Sequence, residues 1–128
     1  MKNLAAAILL TAIMGCAAVS PRLPLGPIEA YAEFVAQSFA GCAQLVGVGA
    51  SNYACFEDMK ERSKPYYEKA KEEATDNPTV AKQLESFKDF WDKESFKLGT
   101  TFDGLNSANR VRDEAEKLNT VAKDAGLQ

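Results

Sequence analysis

Apolar residues recur at intervals of three and four along most of this chain, which is the period of an α-helix. The first such stretch covers residues 27–46, and Pro27 suits a first helical turn. Its apolar positions are Ile28, Tyr31, Phe34, Val35, Phe39, Cys42, Leu45 and Val46. Many of the other positions of this helix are alanine, so we expect the helix to be buried on more than one side. The glycine-rich residues 47–52 end it.

A second helix is predicted from about Ser51 to Thr75. One stripe of this helix carries Tyr53, Phe56, Met59 and either Tyr66 or Tyr67. Pro65 lies inside the span, so it either kinks the helix or opens a further helix capped by Ser63. The sequence TDNPT at residues 75–79 then predicts a stop and a new start, with Asn77 as the cap and Pro78 in the first turn.

The last third of the chain predicts two more helical stripes. The first consists of Val80, Leu84, Phe87, Phe90, Trp91 and Leu98, and the second of Phe102, Leu105, Ala108, Val111, Ala115, Leu118 and Ala122. Gly99 and the cap-like residues 100–103 separate them, although one long helix bent at Gly99 is an alternative. Gly126 ends the last helix. With no strand-like alternation, the fold class is all-α, a small bundle of about four antiparallel helices.

The residues ahead of the first helix have the pattern of an export signal. Lys2 supplies a positive charge, and residues 4–15 are apolar but too few to span a bilayer. Residues 18–27 contain three prolines and a glycine, which is typical of an extended tether. We therefore divide the chain into a signal segment (1–15), a tether (16–27) and a helical domain (28–128).

The run Ile13-Met14-Gly15-Cys16 resembles the lipobox of bacterial lipoproteins. In that family the cysteine thiol receives a diacylglycerol and becomes the new N-terminus, so the resemblance implies lipidation at Cys16 and a membrane anchor. Met14 departs from the pattern, which has a small residue there. By the same resemblance, Ala17 after the cysteine favours the outer membrane. Cleavage after Ala18 by ordinary signal peptidase and an uncleaved anchor are the alternatives.

The chain has three cysteines, and export to an oxidising compartment would allow two of them to form a disulfide. If Cys16 is acylated or removed, Cys42 and Cys55 are left as one pair. They lie at similar distances on either side of the helix break near residue 48, so they would face each other in an antiparallel hairpin. Their spacing fits no zinc motif. The sequence therefore predicts a structural disulfide between them.

Composition argues against catalysis, metal binding and nucleic-acid binding. The net charge is −3, without a cluster of Lys and Arg suited to phosphates. The chain has no histidine, which is the commonest general base and metal ligand. The acidic pairs at residues 57–58, 72–73 and 113–114 have basic neighbours and read as solvated helix faces. We expect no enzyme, cofactor or metal site.

Two stretches have an unusual charge pattern. No charged residue occurs between Glu33 and Glu57, a length that could enter a bilayer, but its amides and glycines favour a buried hairpin. Phe96 lies off its helical stripe among Lys93, Glu94 and Lys97, which resembles an interface anchor with a polar rim. Alternatively, the side chain of Phe96 packs against the second helix at the end of the bundle.

These observations favour a non-catalytic lipoprotein of the cell envelope that binds a protein partner, in an accessory, assembly, inhibition or exclusion role. It would face the periplasm or the exterior. The alternative is a helical carrier of an apolar ligand such as an acyl chain, held between the first and third helices. A hollow core at Phe34, Phe39 and Phe87 would favour the carrier, and a filled core the binding protein.

Overall fold

Four helices make up the part of the chain that the computed structural model describes, residues 25–45, 52–97 and 104–127. They are α1 (Pro27–Ala43), α2 (Asn52–Ala74), α3 (Pro78–Lys97) and α4 (Gly104–Asp124). No strand occurs within these ranges. The all-α bundle predicted from the sequence is thereby confirmed.

Each helix packs against the next along the chain, and α1 also packs against α4. The bundle is therefore closed, with α1 and α3 on one diagonal. Ring contacts show the antiparallel course of α1 and α2, because Tyr31 meets Tyr67 at one level and Phe39 meets Phe56 at another. Contacts of Asp92 with Lys60, of Ser107 with Glu94 and of Gly104 with Ala43 add the other two helices. The end of α1, the start of α2, the end of α3 and the start of α4 therefore share one end of the bundle.

The helix boundaries follow local signals in the sequence. Asn77 caps α3 as predicted, since its Oδ1 accepts a 3.0 Å hydrogen bond from the backbone N–H of Val80. At the end of α4, Gly126 takes a positive φ of 80°. There the N–H of Leu127 donates to the carbonyl of Ala122 at 2.8 Å, which forms a Schellman cap.

Pro65 does not divide α2. The helix runs without a break from Asn52 to Ala74 and contains Pro65, so the predicted alternative of a second helix is wrong. Ser63 is not a cap either, because its Oγ donates a 2.9 Å hydrogen bond back to the carbonyl of Lys60. Buried residues on both sides of the proline, such as Met59 and Ala70, hold the two halves against the bundle.

The core is built around α1, which has neighbours on two sides. Fully buried side chains on this helix are Ile28, Tyr31, Ala32, Val35 and Phe39. Opposite them lie Phe56 and Met59 of α2, Val80, Leu84, Phe87 and Trp91 of α3, and Val111 and Leu118 of α4. The burial of α1 on more than one side, expected from its alanines, is confirmed.

The third and fourth helices are separate. Ser107 of α4 donates a 2.9 Å hydrogen bond to Glu94 of α3, 13 residues earlier. In one straight helix these residues would lie about 20 Å apart along the axis. α3 and α4 instead pack side by side, so the alternative of one long helix bent at Gly99 is wrong for the described residues, while residues 98–103 lie outside the described ranges.

The predicted apolar stripe of α4 is wrong at its first turn. Leu105 is 76% exposed, whereas Gly104 is buried beside it. A Cβ added at Gly104 would come within 2.7 Å of the carbonyl oxygen of Ala43, so this close approach admits only glycine. Successive helical residues point about 100° apart, so with Gly104 facing α1, Leu105 turns away from the core.

The signal segment, Cys16 and most of the tether lie outside the described residues, as do residues 46–51 and Phe102. Within the described ranges, no helix is long and apolar enough to cross a bilayer. The uncharged segment that begins after Glu33 packs Phe39 and Cys42 into the protein core, which agrees with a buried hairpin.

Candidate functional site

Phe96 lies in the last turn of α3 and is 61% exposed. One face of its ring is covered by the ammonium group of Lys60 on α2, whose Nζ lies 4.1 Å from the ring centroid. The ring thus touches the second helix and still leaves most of its area to solvent. Its role in binding a partner stays a prediction.

Lys60 links Phe96 to an ion-pair network between α2 and α3. Its Nζ lies 3.3 Å from a carboxylate oxygen of Asp92 on α3 and 3.6 Å from one of Glu57 on its own helix. The Lys60 side chain is only 21% exposed, so its position is fixed on several sides. The ammonium group of Lys60 is therefore held over the ring of Phe96, and it places a positive charge at one margin of the site.

Glu94 is not part of a polar rim around Phe96, contrary to the prediction. It is 2% exposed and points into the α3–α4 interface. Its Oε1 accepts hydrogen bonds from Ser107 at 2.9 Å and from Arg110 at 3.0 Å. A charge can be buried at this position because α4 supplies both a hydroxyl and a guanidinium, and the sequence pattern of α3 alone carries no sign of that.

Next to Lys60 a cleft opens between α2 and α3, and we call it the α2–α3 cleft. Its volume is about 310 Å³. The residues that line it are Lys60, Ser63, Lys64, Tyr67 and Glu68 from α2 and Lys88, Trp91 and Asp92 from α3. Aromatic rings and charged termini thus meet in one depression directly beside Phe96.

The indole of Trp91 forms the back of this cleft. It is 2% exposed, and its Nε1 donates a 3.0 Å hydrogen bond to the hydroxyl of Tyr31 on α1. Tyr31 in turn meets Phe87 edge to face, with 5.8 Å between the ring centroids. The prediction from the sequence placed Phe87 and Trp91 on one helix face, but it missed this bond, which needs the register of α1 against α3.

Two ammonium groups flank the ring of Tyr67 at the mouth of the cleft. Lys88 Nζ lies 5.4 Å and Lys71 Nζ 5.5 Å from its centroid. Within the described chain, neither lysine has a carboxylate partner within 4 Å. The pKa of Tyr67 is raised by burial first, and then by the negative charges of Glu85, Asp89 and Glu68.

Phe34 is half-buried, although the sequence placed it in the core. Its ring stacks on Tyr66 of α2, with 4.6 Å between centroids, and Arg62 lies 6.0 Å from the ring. Tyr66 is 40% exposed. The sequence left open whether Tyr66 or Tyr67 joins the stripe of α2, and the structure gives Tyr67 the core contact with Tyr31.

The core positions proposed for a carrier cavity are occupied by ring contacts. Phe39 packs on Phe56 with 4.9 Å between centroids, and Phe87 packs on Tyr31. Phe34 lies outside the core, as described above. These three positions do not enclose a space for an acyl chain.

Cys42 and Cys55 lie where the sequence placed them, at facing positions of α1 and α2. Their sulfur atoms are 2.04 Å apart and their Cα atoms 5.5 Å apart, so they form a disulfide pair. Cys42 is buried. The pair joins the two helices next to the segment between them.

The acidic pairs of α2 lie on exposed helix surfaces. Asp58 is exposed and lies 3.5 Å from Arg62 one turn later, and Glu72 and Glu73 are also exposed. Across the described ranges, no group of three or more Asp, Glu or Cys residues could hold a metal ion.

The chain was compared with protein-family models, curated proteins and solved structures. The chain matches no protein-family model, no curated protein and no solved structure.

Proposed function

We propose that this chain is a non-catalytic lipoprotein of the cell envelope, anchored through Cys16, whose helical domain binds a protein partner. In this proposal residues 16–27 hold the bundle away from the outer membrane. The tether enters the bundle at Pro27, which is the first residue of α1. The partner meets the opposite end of the bundle and the side next to it.

One observation carries the proposal. Within the described residues, large apolar side chains are most exposed at Tyr53 (67%), Phe96 (61%) and Leu105 (76%), and less so at Tyr66 (40%) further along α2. Tyr53 is in the first turn of α2, Phe96 in the last turn of α3 and Leu105 in the first turn of α4. All three therefore share the end of the bundle opposite Pro27. Phe96 lies beside the α2–α3 seam of this end and Leu105 beside the α1–α4 seam. Exposed apolar side chains around one end of a bundle favour a partner that covers that end.

The filled core supports a binding protein over the alternative carrier. The rings of Phe39 and Phe87 are fully buried against other rings, so a ligand between α1 and α3 would have to displace them. Substituting a core aromatic costs about 3–5 kcal/mol, and such a displacement would be similarly unfavourable.

Site-specific photo-cross-linking in cells tests the proposal. A photoreactive amino acid at position 96, 53 or 105 should yield one recurring cross-linked protein. The same residue at Thr79 should not, since Thr79 is exposed at the start of α3, the tether end. Equal cross-linking from all four positions, or none from positions 96, 53 and 105, would contradict it.

The purified partner then permits a quantitative test with Phe96→Ala. An exposed anchor should change stability by less than about 0.5 kcal/mol and weaken binding at least tenfold. A Phe96 that serves packing would instead cost about 3–5 kcal/mol in stability. That second result, with unchanged affinity, would remove Phe96 from the site.

A further inference from the structure

We propose that the α2–α3 cleft is the socket for one bulky apolar side chain on an acidic segment of the protein partner. This inference rests on the proposed function and adds the chemistry of the partner. It would extend the binding surface from Phe96 along the seam between α2 and α3.

The size and walls of the cleft fit a single side chain. A volume of about 310 Å³ is at the lower limit of small-molecule sites, which run from roughly 300 to 1,000 Å³. The indole of Trp91 closes the back, and the ring of Tyr67 forms a side. Both rings are held from behind by Tyr31, through a hydrogen bond to Trp91 and a ring contact with Tyr67. An entering aromatic or large aliphatic group would meet a preformed apolar surface.

Two ammonium groups beside Tyr67, those of Lys88 and Lys71, favour an acidic partner. Three lysines line the cleft against two carboxylates, Glu68 and Asp92. Lys60 is paired with Asp92 at 3.3 Å and with Glu57 at 3.6 Å, and Lys64 is paired with Glu61 at 3.0 Å, so these two lysines are already neutralised. Lys88 has no carboxylate within 4 Å in the described chain, and neither does Lys71 beside the same mouth. Ammonium groups around an apolar depression complement a segment in which carboxylates flank an apolar residue.

Lys60 stands between the cleft and the exposed ring of Phe96. Lys60 lines the cleft and also covers one face of that ring at 4.1 Å. A partner segment seated in the cleft would therefore meet Lys60 at the margin and could extend from there to Phe96. A socket, an adjacent aromatic ring and a charged margin together resemble the centre and rim of a protein interface.

The single tryptophan of the chain allows a direct test, because Trp91 forms the back of the cleft. The full chain is labelled with 5-fluorotryptophan and placed in phosphatidylcholine nanodiscs, which gives one fluorine resonance. The probe is the blocked peptide Ac-Glu-Asp-Phe-Glu-Asp-NH2. We expect it to shift this resonance saturably. Two control peptides should leave the resonance in place. In the first, alanine replaces the phenylalanine, and in the second, Lys and Arg replace the acidic residues on both sides of the phenylalanine.

Matched charge reversals locate the site. Lys88→Glu should lower the affinity for the acidic peptide by a factor of about three or more, since Lys88 lies at the mouth of the cleft. Lys82→Glu is the control, an exposed residue of the same helix that makes the same change in net charge. It should leave the affinity within about twofold. Equal effects of both reversals, no shift with the acidic peptide, or a shift with all three peptides would overturn the proposal.

Failure of this inference is distinguishable from failure of the proposed function. If the peptides fail while position 96 still cross-links to one protein, the socket is wrong and the partner-binding function stands. If the peptides bind as expected and no cross-link forms in cells, the cleft stands as an acidic-peptide site and the proposed function is wrong. A shift caused only by adding anionic lipid to the nanodiscs would assign the lysines to the membrane and overturn the socket.

Discussion

The hydroxyl of Tyr31 accepts a 3.0 Å hydrogen bond from the indole N–H of Trp91 on the diagonally opposite helix. Tyr31 is fully buried and Trp91 is 2% exposed. The bond gives the buried indole donor a partner and fixes the position of α3 against α1. Because Trp91 also forms the back of the α2–α3 cleft, the same contact links the core to the candidate site.

Replacing Tyr31 with phenylalanine should therefore destabilise the fold. The substitution keeps the ring but leaves the Trp91 N–H without a partner, which costs about 1–3 kcal/mol. We expect the melting temperature to fall by roughly 4–8 °C for each kcal/mol lost. Tyr53→Phe is the control, since Tyr53 is 67% exposed and its removal should have little effect. Equal melting temperatures for both variants would show that the bond contributes nothing.

The same tyrosine should make stability fall in alkali. Burial raises the pKa of Tyr31 far above the ordinary value, and the hydrogen bond from Trp91 only partly opposes this. In the unfolded chain the group ionises near pH 10. Above about pH 10 the unfolded state therefore binds fewer protons than the folded state, so the free energy of unfolding decreases as pH rises, and below that pH the group has no effect. Denaturant titrations across this range should show a shallower decline for Tyr31→Phe than for the parent protein.

Arg110→Met should lower the free energy of unfolding, because it removes the guanidinium partner of the buried carboxylate of Glu94. The Glu94 side chain is 3% exposed and would keep only Ser107 of the two donors described above. Removing one partner of a buried pair costs about 3–5 kcal/mol, but the Arg110 side chain is 44% exposed, so we expect roughly 1–3 kcal/mol. Arg112→Met on the same helix serves as the control, because Arg112 is exposed. A double variant with Glu94→Gln should recover part of the loss, and strict additivity would refute the coupling.

The pair Cys42–Cys55 should resist alkylation in the absence of reductant. The bond closes a short loop, with a sequence separation of 13. In the chain-entropy model, closing a loop of this size stabilises the fold by about 3 kcal/mol. Reduction should then lower the melting temperature by on the order of 10 °C or more. Quantitative labelling of both thiols in the untreated mature protein would show that the bond does not form there.

Cys16→Ser should release the protein from the membrane fraction if the lipobox resemblance is right. The expected physical basis is the loss of the acyl chains, each buried methylene of which contributes about 0.8 kcal/mol. The readout is cell fractionation together with the intact mass of the wild-type protein, which should include the lipid. A variant that keeps its membrane association and its electrophoretic mobility would rule out the anchor.

Local chemistry in the sequence determined where the helices begin and end. Pro27 opens α1, Asn77 and Pro78 open α3, and Gly126 closes α4 as predicted. Such signals act through hydrogen bonds and dihedral angles within a few residues, so they are readable without the fold. The same locality explains the facing cysteines, because a short antiparallel hairpin places residues at equal distances from its turn opposite each other.

The tertiary structure alone decided which side chains near the edge of each apolar stripe are buried. Periodicity placed Leu105 in the core and Glu94 at the surface, yet Leu105 is exposed and Glu94 is buried. The rotation of α4 depends on the close approach of Gly104 to Ala43, and the burial of Glu94 depends on donors that α4 brings to it. The α2–α3 cleft has the same origin, since its aromatic walls and lysines come from two helices whose spacing is set by packing against the rest of the bundle.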